Sequence, residues 1–407
     1  MIATVLHIFS QNFVSVLQES FSNKIYQCYN NNNAERKKEV LMNQEKVSEL
    51  RNWMQKNNVD LAYISDASHI GYFSGFDSNP MERVLALFIP LEKDPFLFAP
   101  GLEVEDAKAS SFEYDVVGYL DSQDPFSIIV DEIKKRYGSP KKIALEKNQL
   151  VLDRYLRLSE AFPAADFSAD LTPLVQELQL YKTEEECQQL IEAGSTADLA
   201  FEIGFRHVKP GITEEEIVAE IEYELKKKGI KQMSFPTEVL AGPNAASPHG
   251  TPGKNTCKEN ELVLFDLGTI VNGYCSDATR TVACGKPTDH QKDIYNIVLE
   301  AQLSAQEAVK PGITCGELDK IARDVIESHG YGEYFNHRLG HGIGTTIHEF
   351  PQIVGGNDLV VKEGMCFSIE PGIYLPDDVG VRIEDCIYVT KDGCIPFTKT
   401  SKELIIL

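Results

Sequence analysis

From residue 44 to about residue 165, apolar positions at helical spacing alternate with short β-branched or aromatic runs, "LAYIS", "VLALFIP" and "PFLFA". That alternation predicts an α/β domain. A polar stretch, "PAADFSADLTPLVQELQLYKTEEE", then reads as the boundary to a second domain. Past it, Thr183 and Glu186 form a capping box, and apolar positions recur at helical spacing to about His207.

The second half contains a repeat. "VKPGITEEE" at 208–216 returns as "VKPGITCGE" at 309–317, with six identical residues in a row. In both copies a helix is expected to end, Pro-Gly to make a turn, and a new helix to start at a Thr-x-x-Glu capping box, Thr213 with Glu216 and Thr314 with Glu317. Duplication predicts an equivalent hairpin after each pair of helices. In "ELVLFDLGTIVNGYCSDATRTVAC" two strands meet at Asn272-Gly273, a dipeptide that favours a two-residue type I′ turn. Pairing Val271 with Tyr274 sets Asp266 opposite Thr279 and Asp277 opposite Gly268, so both aspartates share a face. In "GMCFSIEPGIYLPDDVGVRIEDCIYVT" a fold at "LPDDVG" sets Glu370 opposite Glu384.

"VLFDLG" and "FSIEPG" place an acid inside an apolar strand, where an unpaired charge is costly. Four facing carboxylates repel unless something positive lies between them. Divalent metal ions meet that need, and one imidazole is a familiar companion ligand for manganese, cobalt or zinc. "HRLGHGIGTTIHEF" at 337–350 holds three histidines threaded by three glycines. Each glycine would cost a helix about 1 kcal/mol, and the HExxH signature of helix-borne zinc sites is absent. A loop or irregular strand is expected, delivering His341 to the carboxylates. Asp266, Asp277, His341, Glu370 and Glu384 would suffice for two ions about 3.5–4 Å apart sharing a water nucleophile.

Composition narrows the class. A chain of 407 residues, 43% hydrophobic and 25% charged, is long enough for two globular domains. A net charge of −23 repels phosphate backbones and anionic membranes, which argues against nucleic acid and membrane partners. No run of eighteen apolar residues offers a membrane span. Nine cysteines without CxxC spacing suggest reduced thiols in the cytoplasm. Residues 1–41, with the tract "YNNNNAERKKEV", are expected to be a disordered, dispensable leader. The domains are then expected over 42–170 and 171–407.

"SPHG", "VLFDLG", "CSDATRT", "HRLGHGIGTTIHE", "SIEPGIY" and "GVRIEDC" occur in the order of the pita-bread metallopeptidase family that includes methionine aminopeptidase, aminopeptidase P and prolidase. Residues 180–407 resemble its catalytic domain. Residues 44–165, with "SDASHIGYFSGF", resemble the N-terminal creatinase/prolidase-type domain of its proline-specific members. The resemblance implies an α/β (α+β) fold, with an internal pseudo-two-fold repeat in the catalytic domain. It implies that the five residues are dinuclear metal ligands, Glu370 also serving as general base. It further implies that His249 and His348 bind the scissile carbonyl and steady the oxyanion. His337 is expected at the edge of the metal shell or on substrate, Arg338 on the substrate carboxylate or in a structural role, and Arg382 in a salt bridge to the metal carboxylates.

The Xaa-Pro bond lacks the N–H that most proteases grip, and the N-terminal domain favours members dedicated to it. Peptides with proline in second position are the expected substrates, cleaved by an Xaa-Pro dipeptidase. Aminopeptidase P acting on longer peptides is the alternative, because Gln352 follows "HEFP" where some prolidases carry arginine. An inactive pita-bread protein that binds a peptide or protein is the alternative of another class. Two divalent ions, manganese first with cobalt or zinc as substitutes, and a homodimer complete the expectation.

Overall fold

The structure, a computed structural model, describes residues 43–407. The leader expected over 1–41 lies outside the described residues. The chain divides into two compact units that meet in sequence at Thr172 and Pro173.

In the first unit, the Asn43 side chain accepts from the Lys46 N–H and caps α1 (Gln44–Lys56), which buries Val47, Leu50 and Met54 along one stripe. A mixed five-stranded sheet follows, with strands β1 (Leu61–Ile64), β2 (Ala86–Pro90), β3 (Phe96–Pro100), β4 (Asp115–Tyr119) and β5 (Ile143–Leu145) in the order β4-β3-β2-β1-β5. Helices α2 (Ala67–Ser74), α3 (Val104–Ala109), α4 (Pro125–Tyr137) and α5 (Leu152–Ala161) alternate with it. Strands β1, β2 and β3 are buried along their whole length, so they read as continuous apolar runs rather than alternating ones. Their aromatic rings stack, Tyr63 on Phe88 and Phe88 on Phe96, both at 4.8 Å.

The stretch read as a polar boundary is partly helical. Its "TPLVQELQL" forms α6 (Thr172–Leu180), which buries Leu174, Val175, Leu178 and Leu180. Spacing of four and three from Leu174 and Val175 to Leu178 carries the helix despite the polar residues among them.

The second unit is built twice. Helices α7 (Glu184–His207) and α8 (Glu214–Lys227) precede β6 (Glu238–Ala241), β7 (Glu261–Leu267), β8 (Ile270–Val271), β9 (Tyr274–Cys275) and β10 (Ala278–Cys284). Helices α9 (Asp289–Ala308) and α10 (Cys315–Ser328) precede β11 (Gly340–Gly342), β12 (Glu349–Ile353), β13 (Cys366–Ile369), β14 (Gly372–Leu375), β15 (Val379–Arg382), β16 (Asp385–Val389) and β17 (Cys394–Pro396). Both expected capping boxes are present. The turn glycines, Gly211 at φ 92° and Gly312 at φ 105°, take a conformation that favours glycine. The backbone contacts repeat as well: Cys257 N–H to Ile212 O at 2.9 Å in one half, Val361 N–H to Ile313 O at 2.8 Å in the other. The copies diverge at Glu214 and Cys315, the residues that begin the repeated helices α8 and α10.

The sheets run β10-β7-β6 and β12-β11-β13-β16-β17. Asn272 at φ 51° and Gly273 at φ 82° make the first hairpin turn, with Val271 opposite Tyr274 and Asp266 opposite Thr279. In the second hairpin Ile369 faces Asp385 and Gly372 faces Arg382, which brackets Glu370 against Glu384. The ladders are interrupted at three of the four carboxylates, while Asp266 stays paired with Thr279. Asp277 lies just before β10, while Glu370 and Glu384 lie between the paired strand segments.

Candidate active site

A cavity of about 650 Å³ opens within the second unit, and its wall includes ten residues singled out in the sequence: His249, Asp266, Asp277, His337, Arg338, His341, His348, Glu370, Arg382 and Glu384. The two hairpins are locked to each other across the repeat. Glu384 N–H donates to Thr279 O at 3.1 Å, and the Thr279 hydroxyl donates to Glu384 Oε2 at 2.8 Å. The Arg280 guanidinium, 1% exposed, donates to Glu384 O, Thr400 O and Asp385 Oδ1.

Close packing explains the glycines around His341. A Cβ on Gly340 would lie 1.9 Å from Ser368 O, and one on Gly342 would lie 2.3 Å from Phe350 O. Only glycine lets β11 pass between β12 and β13. His341, 3% exposed, sits between those glycines. Its Nδ1 is 3.0 Å from Gly342 O, which places the ring proton on Nδ1 and turns the Nε2 lone pair towards the carboxylates. Nε2 lies 3.4 Å from Asp277 Oδ2 and 3.3 Å from Glu370 Oε1. The Ser368 hydroxyl accepts from His341 N–H at 3.0 Å and donates to Glu370 Oε1 at 2.9 Å, so one side chain orients both residues.

The electrostatics call for a cation. Burial, and then the neighbouring carboxylates, push the Asp277 and Glu384 carboxyls well above the usual range. Burial also raises Asp266, with the Arg382 charge opposing. Asp266 Oδ1 and Glu384 Oε1 are buried without a hydrogen-bond partner among the described residues. Asp277, His341 and Glu384 each offer a donor atom, all within 4.8 Å of one another. Orphaned carboxylate oxygens converging with an imidazole lone pair fit a divalent metal ion.

Tyr374 and Glu238 escaped sequence reading, and Arg382 does more than was expected of it. Arg382 was expected in a salt bridge, and its Nη2 does donate to Asp266 Oδ2. Its further role is to begin a chain: Nη1 donates to Tyr374 Oη at 2.9 Å, and Tyr374 Oη lies 3.0 Å from His337 Nε2. His337 Nδ1 faces Arg338 O at 2.7 Å, so the Tyr374 hydroxyl is the donor to Nε2. Burial lowers the His337 pKa and raises that of Tyr374 to about 12. Glu238 is a fifth carboxylate on the cavity wall, in register with Asp266; burial and then the Asp266 charge push it to about 7. Tyr374 lies inside the "SIEPGIY" motif and was findable there, whereas nothing local marks Glu238.

His249 is exposed in the loop after β6. That loop is tied to the start of α8 by the buried Glu214 carboxylate, which accepts from Ala241 N–H, Asn244 Nδ2, Gly253 N–H and Asn255 Nδ2. His348 packs edge-on against His341, ring centroids 4.3 Å apart, and burial followed by the His341 and Arg338 charges lowers its pKa to about 4. Its loop is built around the next residue. Glu349 takes a buried ion pair from Lys182 at 2.7 Å and a hydrogen bond from Thr346 N–H at 3.2 Å. Glu349→Gln is expected to lower kcat/KM by about tenfold, as loss of an orienting partner does. Steady-state kinetics on an Xaa-Pro dipeptide would check it, and an unchanged kcat/KM would remove Glu349 from the support of the site.

Residues 188–391 match the model of metallopeptidase family M24, and residues 46–180 match the creatinase/prolidase N-terminal domain. The chain is 54% identical to the Xaa-Pro dipeptidase of Lactobacillus delbrueckii subsp. lactis over 89% of its own length and 98% of that protein. Among solved structures it resembles the Xaa-Pro dipeptidase from Bacillus anthracis, with a TM-score of 0.82, 36% identity and coverage of 89% of this chain and 99% of that one. It also resembles the prolidase from Thermococcus sibiricus, with a TM-score of 0.85, 33% identity and coverage of 91% and 100%. Matched through both units, and with carboxylates and an imidazole that could hold a metal ion gathered in one cavity, the chain belongs to metallopeptidase family M24.

Proposed function

We propose that this protein is a metal-dependent Xaa-Pro dipeptidase. The observation that carries the reading is the convergence of Asp266, Asp277, His341, Glu370 and Glu384 in one cavity with Arg338, His249 and His348 on its wall. The dipeptidase relatives support the choice of substrate. Arg338 lines the cavity, whereas Gln352 is exposed on β12. Arg338 therefore takes the role of cation for the substrate's C-terminal carboxylate.

The five cluster residues would hold two divalent ions, manganese first with cobalt or zinc as substitutes, and such ions would supply Lewis acidity and a water of lowered pKa. Glu370, oriented by Ser368, takes the proton of the attacking water and passes it to the departing proline nitrogen. His348, neutral at pH 7 and pressed against His341, donates with His249 to the carbonyl oxygen as negative charge develops there. His337, held by Tyr374, fixes the backbone of Arg338. The same proposal includes a homodimer, a fold divided near residues 170 and 171, and a leader over 1–41 dispensable for activity. Thiols outside any disulfide, such as those of Cys257, Cys284 and Cys386, support a reducing, cytoplasmic setting. No helix among the described residues is long and apolar enough to cross a membrane.

Purified protein with manganese is expected to cleave Ala-Pro and Leu-Pro faster than Xaa-Pro tripeptides. Preference for tripeptides in a side-by-side kcat/KM comparison would move the assignment to an aminopeptidase acting on longer peptides.

A further inference from the structure

We propose that Glu238 sets the specificity of this site for a free amino terminus by receiving the dipeptide's α-ammonium group. The inference rests on the dipeptidase reading above and deepens it. Glu238 opens β6 directly opposite Asp266 on β7, so the two side chains share a face of the sheet. It lines the cavity with its side chain 17% exposed, and its Oε2 is buried without a hydrogen-bond partner among the described residues. Arg382 stands 3.8 Å away but is committed elsewhere, to Asp266, to Tyr374 at 2.9 Å and to Thr279 at 3.0 Å. Two carboxylates thus share one guanidinium, and the second of them faces the cavity.

Arg338 is among the charged neighbours of His348, whereas the charged neighbours of Glu238 are Asp266 and Arg382, so Glu238 and Arg338 stand apart on the cavity wall. A dipeptide at neutral pH carries an ammonium at one end and a carboxylate at the other. With the carboxylate towards Arg338 and the scissile amide at Glu370, the ammonium points towards Glu238. Its nitrogen is two bonds from the scissile carbonyl carbon, so its anchor has to stand directly beside the carboxylate cluster, as Glu238 does. An acylated or internal Xaa-Pro bond brings no cation and leaves that carboxylate desolvated and unpaired, which disfavours binding.

The test compares wild type with Glu238→Gln, using Ala-Pro and its desamino analogue propionyl-proline. Manganese-loaded protein gives KM and kcat for Ala-Pro and the inhibition constant of propionyl-proline. Calorimetry on chelated protein gives the affinity of each ligand without turnover. Glu238→Gln is expected to raise KM for Ala-Pro and weaken its calorimetric binding by about 30-fold or more, the cost of removing one partner of a desolvated charge pair. Propionyl-proline binding should be unchanged, which also shows that the variant is folded. Equal loss for both ligands, or no loss for Ala-Pro, would overturn the assignment while leaving a wild type that cleaves Ala-Pro as a dipeptidase. A Lys-Pro advantage abolished by the substitution, with the Ala-Pro to propionyl-proline ratio intact, would move Glu238 to the Xaa side chain and overturn it too. A wild type that cleaves no Xaa-Pro dipeptide with any divalent ion overturns the dipeptidase reading and this inference together.

Discussion

Exhaustive chelation is expected to abolish Ala-Pro hydrolysis, and returning manganese, cobalt or zinc to restore it. The same treatment should lower the melting temperature, because an ion that binds only the folded state stabilises it. Glu384→Gln separates the two effects by their sign. Its carboxyl is 1% exposed, with one oxygen held by Thr279 and the other unpartnered among the described residues. The amide can keep the Thr279 hydrogen bond while removing one charge from a group of mutually repelling acids. The variant should therefore be inactive, yet its metal-free form should melt about 2–4 °C above metal-free wild type for each kcal/mol of repulsion relieved. The difference should depend on pH. A carboxyl whose folded-state pKa is raised, as Glu384's is, binds more protons folded than unfolded between its two pKa values. Its contribution to stability therefore falls as pH rises through that window. Well below the unfolded-state pKa of about 4.3, where wild type is protonated in both states, the two melts should converge; as pH rises above it the variant should pull ahead. Full activity in protein shown by elemental analysis to be free of metal would end the metallopeptidase account.

Arg280→Met is expected to destabilise the second unit by several kcal/mol, a fall in melting temperature of roughly 10 °C. Arg280 is the largest of the fully buried side chains, and it clasps Asp385 at 2.7 Å, Thr400 O at 2.8 Å and the main-chain oxygen of Glu384. Lys402 Nζ remains on Asp385 at 2.6 Å in the variant, which keeps the cost below that of a wholly abandoned buried charge. Activity should fall with stability, because Glu384 loses the anchor of its backbone. Arg280→Lys should restore charge but not the planar fork, and so fall between the two. Thermal melts and Ala-Pro kinetics on the three proteins check this, and an Arg280→Met melt matching wild type would show that the clasp contributes nothing.

The registers of both hairpins were readable because they depend on neighbours in the chain. Asn272-Gly273 fixes a two-residue turn, and a period of two then places Asp266 and Asp277 with no further information. The capping boxes at Thr183, Thr213 and Thr314 are local for the same reason, as each satisfies its own helix end within three residues. The acids inside apolar strands announced a site because a lone buried charge is costly wherever the strand ends up. The helix at Thr172–Leu180 was missed through its polar surroundings, although Leu174, Val175 and Leu178 carry the helical period.

Partnerships formed by packing were beyond that reach. Lys182 meets Glu349 across 167 residues, Arg382 meets Asp266 across 116, and Arg280 meets Asp385 across 105. Glu238 looks like any strand-end glutamate until β6 is laid against β7. Periodicity, turns and caps are energies between residues a few positions apart, so the linear order of amino acids already contains the strands, the duplicated helices and the list of acids that converge on the cavity. Which buried cation neutralises which acid, which carboxylate is left facing the cavity, and how the two copies lock together are energies between distant segments, and they come into being only when those segments share one interior.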